Sequence, residues 1–427
     1  MRFFRSIAYI VITALVSVSF FSCKDDDDKK VISGERTIIC YMPAENSLAS
    51  RLRDDINEMI KCAHRLGEKD RIVIYYDGIS NPQIFVIDRN TNALSVNSFM
   101  PVFTYNTDGN SCSKEVMMDA FKYIIRHYPA KSYGLIFNSH GLGWLPPTQD
   151  MLTYSKRRKS FGIDNGLNEQ SNSVGKEMRI VDLAEAIKSL PHLDFILFDL
   201  CYMQNIEIAY QLRNCADYII GSPAEIPADG APYDLVMPML ISNDVDYKSV
   251  IDIYGKSYEG WEQIPESGVV LSVIRCNQLD SLRIVTNKMT SKYGDELKKC
   301  RYNGTTDYLS YKFRNGYQAG FFDMKEMIYR MIMEANTVEH GFDEEEKIAD
   351  YAEWNSVFNK AVPYSYVASK IYSTILGSSF ITTDKEHCGG ISMSLNPNET
   401  TIDVVIKEYE SLEWRYSGNE DTHITYE

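Results

Sequence analysis

The sequence predicts an α/β fold built on a mainly parallel sheet that is flanked by helices. Two observations lead to this prediction. From Gly34 onward, short apolar runs alternate with stretches whose apolar residues recur at helical spacing. The apolar runs are nearly continuous, which is typical of strands that are buried on both faces of a parallel sheet. The 427-residue length is sufficient for a large core of this kind.

The first third of the chain supplies most of this pattern. Four apolar runs of strand length predict strands at 36–44, 71–78, 83–90 and 133–141. Two stretches with helical spacing predict helices at 45–67 and 113–129. We expect Asn46 or Ser47 to cap the first helix and Ser113 to cap the second. The turn at Asn81-Pro82 indicates that the strands on either side form a hairpin.

The alternation of predicted strands and helices continues to residue 276, and the rest of the chain is predicted to be mostly helical. A helix is predicted at 178–191, and strands are predicted at 194–201 and 268–276. These elements complete a predicted core over 36–276. The remainder, 277–427, predicts a largely helical C-terminal portion, with helices that include 320–335 and 401–417 and one late strand within 389–398.

The first 22 residues predict an export signal. Two arginines precede an uncharged apolar run over 6–21, which is the pattern of a secretory signal peptide. Ser22-Cys23 then resembles the lipobox of bacterial lipoproteins, in which the cysteine carries the lipid. Plain secretion without a lipid is the alternative interpretation.

An acidic linker over 23–35 follows this signal and contains the run KDDDDKK. A charge run of this kind is solvated. Its position directly after Cys23 resembles the export signal of surface lipoproteins in some Gram-negative bacteria. We therefore expect an exported protein that is lipid-anchored through Cys23 in the outer membrane, facing the cell surface.

Charge and cysteine spacing exclude several classes of function. A net charge of −15 makes nucleic acid an improbable partner. The nine cysteines form no CxxC pair and show no zinc-ligand spacing, so no metal site is predicted. Their odd number argues against a disulfide framework.

Two of the predicted strands end in residues that carry chemistry. One runs into NSHG, with His140, and the other into DLC, with Cys201. Because the carboxyl ends of parallel strands meet at one edge of a sheet, we expect these side chains to lie together. A thiolate is a nucleophile, and an imidazole can take and give its proton near neutral pH. Backbone N–H groups of Gly141 and Cys201 are candidate donors to an oxyanion.

Asp199 precedes Cys201 by two residues and therefore faces the same side of the strand. A carboxylate at the floor of a pocket beside the nucleophile would select a long cationic side chain. The alternative interpretation is a structural carboxylate that accepts hydrogen bonds from backbone N–H groups.

These motifs together resemble the clostripain family of cysteine peptidases, which share the caspase-like fold. The matching segments are YMPAENSL, YGLIFNSHGLGW, FILFDLCYMQNIEIAYQLRNCADYIIGSPAEIPADGAPYD and, more faintly, GGISMSL. The resemblance implies that His140 and Cys201 form a catalytic dyad and that the enzyme cleaves proteins or peptides after Arg or Lys. It also implies that Asp199 lines the acidic substrate pocket. A second pocket acid is implied in the following loop, where Glu225 or Asp229 could serve.

The resemblance carries further expectations. The polar segment 147–178 reads as an exposed loop, and family members are often activated by self-cleavage in this region. The candidate cleavage sites form the run KRRK: Lys156, Arg157, Arg158 and Lys159. A solvated basic loop is the alternative. No cofactor is expected, although calcium dependence occurs in part of the family. The alternative function is a catalytically inactive caspase-like protein that serves as a binding lipoprotein.

Overall fold

The computed structural model describes residues 34–147, 160–167, 175–259, 268–294, 297, 309–312, 321–335, 341–373, 379–382, 386–394 and 403–414. The predicted export signal, Cys23 and nearly all of the acidic linker lie outside these residues, and so do Lys156, Arg157, Arg158 and Lys159. Among the described residues, no helix combines the length and the apolar character needed to cross a membrane.

The strands of the described chain are short to medium in length. They are β1 (Gly34–Pro43), β2 (Arg71–Asp77), β3 (Gln83–Ile87), β4 (Phe103–Thr104), β5 (Ala130–Asn138), β6 (Phe161–Asp164), β7 (Lys176–Met178), β8 (Leu193–Asp199), β9 (Ala216–Gly221), β10 (Val270–Arg275), β11 (Ser310–Lys312), β12 (Phe321–Asp323), β13 (Tyr364–Val367), β14 (Lys370–Ser373), β15 (Ser379–Thr382) and β16 (Ser392–Ser394).

The α-helices lie between and after these strands. They are α1 (Ala49–Lys61), α2 (Lys114–His127), α3 (Ile180–Ile187), α4 (Ile206–Leu212), α5 (Tyr233–Leu240), α6 (Tyr247–Lys256), α7 (Leu279–Tyr293), α8 (Met324–Met333), α9 (Glu344–Ala361) and α10 (Asp403–Glu410).

Nine strands form the central sheet in the order β13-β10-β9-β8-β5-β1-β2-β3-β4. The five strands in its centre, from β9 to β2, are mutually parallel. The strands at both edges pair antiparallel, including β2 with β3, which form the hairpin expected from the Asn81-Pro82 turn. The predicted mainly parallel sheet is therefore confirmed.

Alternating side chains of β1 divide the core into two layers. Ile39 and Tyr41 belong to the cluster on one face, where α2, α3, α4, α7, α8, α9 and α10 contribute apolar residues. Ile38 and Cys40 belong to the other face, which α1, α5 and α6 cover. Successive side chains of a strand point to opposite faces, so only a continuous apolar run can supply both layers.

The first helix starts later than predicted, at Ala49, and neither Asn46 nor Ser47 caps it. Asn46 instead accepts a hydrogen bond from the N–H of Leu48, and the Ser47 hydroxyl lies against His140. The predicted cap of the second helix is confirmed, because the Ser113 side chain accepts a hydrogen bond from the N–H of Val116 at the start of α2.

In the C-terminal portion, the described residues form α7 to α10 but also six short strands, of which the sequence predicted only the late one, β16. β13 extends the central sheet beside β10, so this portion shares a sheet with the rest of the chain. Strands of three or four residues carry too little periodicity to be recognised from sequence.

Part of the segment 147–178 is also not the exposed loop that was predicted. Phe161–Asp164 form the buried strand β6, which pairs with β7 (Lys176–Met178). The two strands are four and three residues long, and polar residues separate them, which conceals them in the sequence.

Candidate active site

The predicted His140 and Cys201 lie at the same edge of the sheet. β5 and β8 are parallel neighbours, and Asn138 at the end of β5 is opposite Asp199 at the end of β8. His140 and Cys201 each follow two residues later, so the register places both at the carboxyl edge. This is the arrangement expected from the sequence, and it follows from the parallel pairing.

Cys201 is the accessible cysteine of the described chain. It is partly exposed, whereas the other six cysteines of the described residues are buried. Burial raises the pKa of such thiols, for example that of Cys62 to about 11. The N–H of Ile226 donates to the Cys201 sulfur over 3.3 Å, and the same sulfur lies 3.7 Å from the Ile226 carbonyl oxygen, so the backbone of Ile226 positions the thiol.

A strained turn follows the nucleophile. Tyr202 has a φ of +61°, in the left-handed region that a residue with a side chain rarely adopts. Such a conformation costs about 1–3 kcal/mol and persists when the surroundings enforce it. Here the Tyr202 ring is buried, and its N–H donates to the carbonyl of Ala224 over 2.9 Å. The strand end that presents Cys201 is thereby held in place.

The His140 ring has a partner that the sequence did not reveal. The Oγ atom of Ser47 lies 2.9 Å from its Nε2 atom. Ser47 lies in the loop between β1 and α1. Because β1 pairs with β5 in the sheet, this loop is next to the segment that follows β5 and contains His140. The hydroxyl can therefore orient the imidazole. The sequence predicted only a helix-capping role for Ser47, so this contact was not foreseen.

We expect Ser47→Ala to lower kcat about two- to tenfold with little change in KM. The reason is that one hydrogen bond of ordinary strength, about 0.5–1.5 kcal/mol, would no longer orient the imidazole. Steady-state kinetics of purified protein measures this effect, with Ser80→Ala, at an exposed serine, as the control. Equal kinetics of the two variants would contradict an orienting role.

Gly141 allows the two active-site loops to approach closely. A Cβ atom at this position would lie 2.6 Å from the carbonyl oxygen of Cys201 and 3.0 Å from the Cβ atom of Leu200. A side chain at position 141 would therefore force these two loops apart. The N–H of Gly162, on β6, donates to the His140 carbonyl over 3.0 Å and braces the same loop.

Asp199 is buried below Cys201 and is surrounded by hydrogen-bond donors. Its Oδ1 atom accepts the Tyr254 hydroxyl at 2.5 Å. Its Oδ2 atom accepts from the Tyr233 hydroxyl at 2.9 Å, the Ala231 N–H at 3.0 Å and the Asn138 amide at 3.2 Å. Burial raises the pKa of Asp199, and the hydrogen bonds from Tyr254, Ala231 and Tyr233 oppose that effect. These hydrogen bonds hold the carboxylate in place. They are also what the alternative interpretation of Asp199, as a structural carboxylate, predicts.

A second buried carboxyl, Asp55 on α1, faces Asp199. The Asn138 amide lies between them, 3.4 Å from Asp55 and 3.2 Å from Asp199. Burial and then the charge of Asp199 raise the pKa of Asp55 well above its ordinary range. Since Asp199 holds the donors, we assign the proton of this pair to Asp55. The burial of Asp55 could have been predicted from the sequence, because its spacing places it on the same helix face as the apolar residues Leu52 and Met59.

The two candidates for the second pocket acid face different neighbours. Burial and then charges that include Asp229 raise the pKa of Tyr258, and Asp229 also acts on Asp55. Glu225 instead contributes to the raised pKa of buried Tyr202. The two residues after Asp229 are held on the Asp199 side of the loop, because the Tyr258 hydroxyl donates to the Gly230 carbonyl over 2.6 Å and the Ala231 N–H donates to Asp199 over 3.0 Å. Asp229 forms an ion pair with Arg51 of α1 at 2.8 Å.

The sequence model of the clostripain family matches residues 40–426. Clostripain of Hathewaya histolytica is 23% identical over 275 residues, which make up 54% of this chain and 51% of clostripain. The chain thus spans about half the length of that curated relative.

Two solved proteases share the fold over nearly their whole length. A secreted cysteine protease from Bacteroides thetaiotaomicron, solved in complex with an irreversible peptide inhibitor, gives a TM-score of 0.71 at 28% identity over 90% of this chain and 99% of that one. An inactive zymogen of a protease from Parabacteroides distasonis gives 0.69 at 26% identity over 90% and 98%. These matches confirm the expected caspase-like fold. The chain belongs to the clostripain family of cysteine peptidases.

Proposed function

We propose that this protein is an endopeptidase that cleaves after Arg or Lys, with Cys201 as nucleophile and His140 as general acid and base. The observation that supports it best is the placement of a partly exposed cysteine and a histidine at the ends of adjacent parallel strands. A buried acid, Asp199, lies one step deeper on the same strand.

In this mechanism His140 takes the proton of the Cys201 thiol, and the thiolate attacks the carbonyl carbon of the scissile bond. The N–H groups of Gly141 and Cys201 stabilise the oxyanion. His140 then gives the proton to the leaving amine, and a thioester remains on Cys201. Water, deprotonated by His140, hydrolyses the thioester and restores the thiol.

The preference for a cationic side chain comes from the acids beside Cys201. Asp199 supplies a fixed negative charge, because four donors hold it in place. Asp229 supplies a second charge at the exposed end, and we propose it rather than Glu225, because the residues that follow it, Gly230 and Ala231, contact Tyr258 and Asp199. Two carboxylates at different depths suit a long side chain with a terminal charge.

The ion pair between Arg51 and Asp229 competes with such a substrate. We expect Arg51→Ala to lower KM for Arg-containing peptides by up to about fivefold, since an exposed ion pair is worth about 0–1 kcal/mol. Steady-state kinetics measures the change, and exposed Arg65→Ala serves as the charge-matched control. If Arg51→Ala and Arg65→Ala change KM equally, the effect comes from net charge and not from the ion pair with Asp229.

Self-cleavage within Lys156, Arg157, Arg158 or Lys159 remains part of the proposal. The chain is anchored on both sides of this run. Trp144 is buried and donates to Ser394 over 2.8 Å, and the N–H of Ser160 donates to Glu177 over 2.6 Å. A cut between these anchors would leave both halves of the dyad in the fold. The solved relative described as an inactive zymogen supports activation of this kind.

Intact-mass measurement of the purified chain tests this part. We expect two fragments whose junction follows one of the four basic residues, and a single uncut chain when all four are replaced by alanine. Full activity of an uncut wild-type chain would remove self-cleavage as the activating step.

Export with a lipid on Cys23 is proposed from the sequence, and the solved relatives described as secreted support export. Detergent phase partitioning of wild type against Cys23→Ser tests the anchor. Partitioning of both proteins into the aqueous phase would favour plain secretion.

The function itself is tested with peptide substrates that differ only in the residue before the scissile bond: Arg, Lys, Asp or Ala. Selective cleavage after Arg or Lys supports the proposal. If no peptide is cleaved, even after limited nicking with trypsin near Lys159, the catalytically inactive binding lipoprotein becomes the better description.

A further inference from the structure

A buried hydrogen bond fastens the segment that carries His140 to the C-terminal portion. Trp144 lies four residues after His140, and its indole N–H donates to the Ser394 hydroxyl oxygen over 2.8 Å. Trp144 is 0% exposed and Ser394 is 4% exposed, so water does not compete for this bond. Ser394 belongs to β16, 250 residues further along the chain. The catalytic steps described above involve neither residue.

The same short strand also holds the segment that follows Cys201. Asn205 lies four residues after Cys201, and its side-chain amide donates to the Ser392 hydroxyl oxygen over 2.6 Å. The Ser392 N–H in turn donates to the carbonyl of Gln204 over 3.0 Å. Because alternate side chains of a strand point to the same side, Ser392 and Ser394 share one face of β16. That face therefore accepts a donor from the segment of each dyad residue.

Ser394 contacts the Cys201 side of the site as well, through its backbone. Its N–H donates to the Oε1 atom of Glu207 over 2.7 Å. Glu207 lies in the first turn of α4, the helix that follows Cys201, and is buried. Burial raises the pKa of Glu207 to about 8, and hydrogen bonds that include those from Ser394 oppose this effect. Ser394 thus joins Trp144, through its side chain, to Glu207, through its backbone.

The ring of Phe321 fills the space between the two segments. Phe321 is on β12, where it pairs with Ser394 of β16. Its ring centroid lies 6.3 Å from that of Trp144 and 6.2 Å from that of Tyr202, the residue after the nucleophile. A Cβ atom at Gly143 would lie 2.6 Å from this ring. Packing of this density transmits a displacement of β16 to both segments.

We propose that Ser394 is a positioning residue for the dyad, because through Trp144 it fixes the loop that carries His140 relative to the helix that follows Cys201. This inference rests on the proposed function and adds a residue that supports it. Positioning has a large effect on rate, since a displacement of about 1 Å can cost on the order of 100-fold. The C-terminal portion then completes the catalytic core.

Two variants test the proposal by removing the same hydrogen bond from its two ends. Trp144→Phe deletes the donor and keeps an aromatic ring, and Ser394→Ala deletes the acceptor. We expect each to lower kcat about five- to thirtyfold, with KM for an Arg-containing peptide unchanged within about twofold. The double variant should lose far less than the product of the single losses, because both changes remove one bond. Steady-state kinetics is compared on protein that intact-mass measurement shows to be cleaved to the same extent.

The chain offers a matched control for this pair. Trp354 on α9 is also buried, and its indole N–H donates to the hydroxyl of Thr286 on α7 over 2.9 Å. We expect Trp354→Phe to lower the thermal unfolding midpoint to a similar extent and to leave kcat unchanged. If Trp144→Phe and Ser394→Ala lower the midpoint but retain the wild-type kcat, or if their losses multiply in the double variant, the positioning role is overturned.

Alkylation of Cys201 by iodoacetamide tests the same link without a peptide. A displaced His140 stabilises the thiolate less, so Trp144→Phe should slow alkylation of Cys201 about three- to tenfold relative to Trp354→Phe. Peptide mass spectrometry measures the labelling at Cys201. Slower alkylation in a chain that cleaves no peptide would support the link and count against the proposed function. Equal alkylation rates in the two variants would overturn the link, even in a chain that cleaves peptides.

Discussion

Replacement of Cys201 by alanine is expected to abolish peptide cleavage, with a loss of kcat/KM on the order of 10,000-fold or more. The thiolate is the only group of the protein that forms a covalent bond to the substrate in the proposed mechanism. Without it, His140 has no nucleophile to activate, and the thioester cannot form. His140→Ala should cause a loss of similar size, because residues that act as one catalytic unit are strongly non-additive.

The measurement is hydrolysis of an Arg-containing peptide by each purified variant. Cys215→Ala, which removes a buried thiol near the end of α4, serves as a control and should retain activity. Alkylation by iodoacetamide gives a second readout, since Cys201 is partly exposed and the other cysteines of the described residues are buried. Cleavage by Cys201→Ala at the wild-type rate would rule out the assigned nucleophile.

Asp199→Asn is expected to lower kcat/KM for Arg- and Lys-containing peptides about 30- to 1,000-fold. Loss of one charge from a buried, desolvated pair costs about 2–4 kcal/mol, which corresponds to this range. Peptides with a neutral residue at that position should be cleaved no more slowly than by wild type. The same substitution at Asp55, which faces Asp199, serves as the comparison. Asp55→Asn mimics the protonated carboxyl assigned to Asp55 and should change kcat/KM only slightly.

Comparison across the peptide panel separates selectivity from folding. Asp199→Asn turns an amide N–H toward donors such as the Tyr233 and Tyr254 hydroxyls, so we expect a stability loss of about 1–3 kcal/mol. Thermal unfolding of each variant measures that loss directly. An equal decrease for all peptides would show that Asp199 acts as a structural carboxylate and does not select the substrate.

The sequence by itself determined the parallel sheet, the places of His140 and Cys201, and the side of the strand that Asp199 shares with the cysteine. Each of these follows from local pattern. A continuous apolar run is a buried strand, and the residue after its end lies at the sheet edge wherever the other strands go.

Only the tertiary structure decided the partners of these residues. That Ser47 contacts His140 and that Asp55 shares the Asn138 amide with Asp199 both depend on how α1 and the loop before it pack onto the sheet edge. The carboxyl groups of Glu45, Asp77 and Asp164 come together in the same way, from three segments that are far apart in the chain. Packing brings together residues far apart in the chain, and spacing along a sequence contains no measure of that distance.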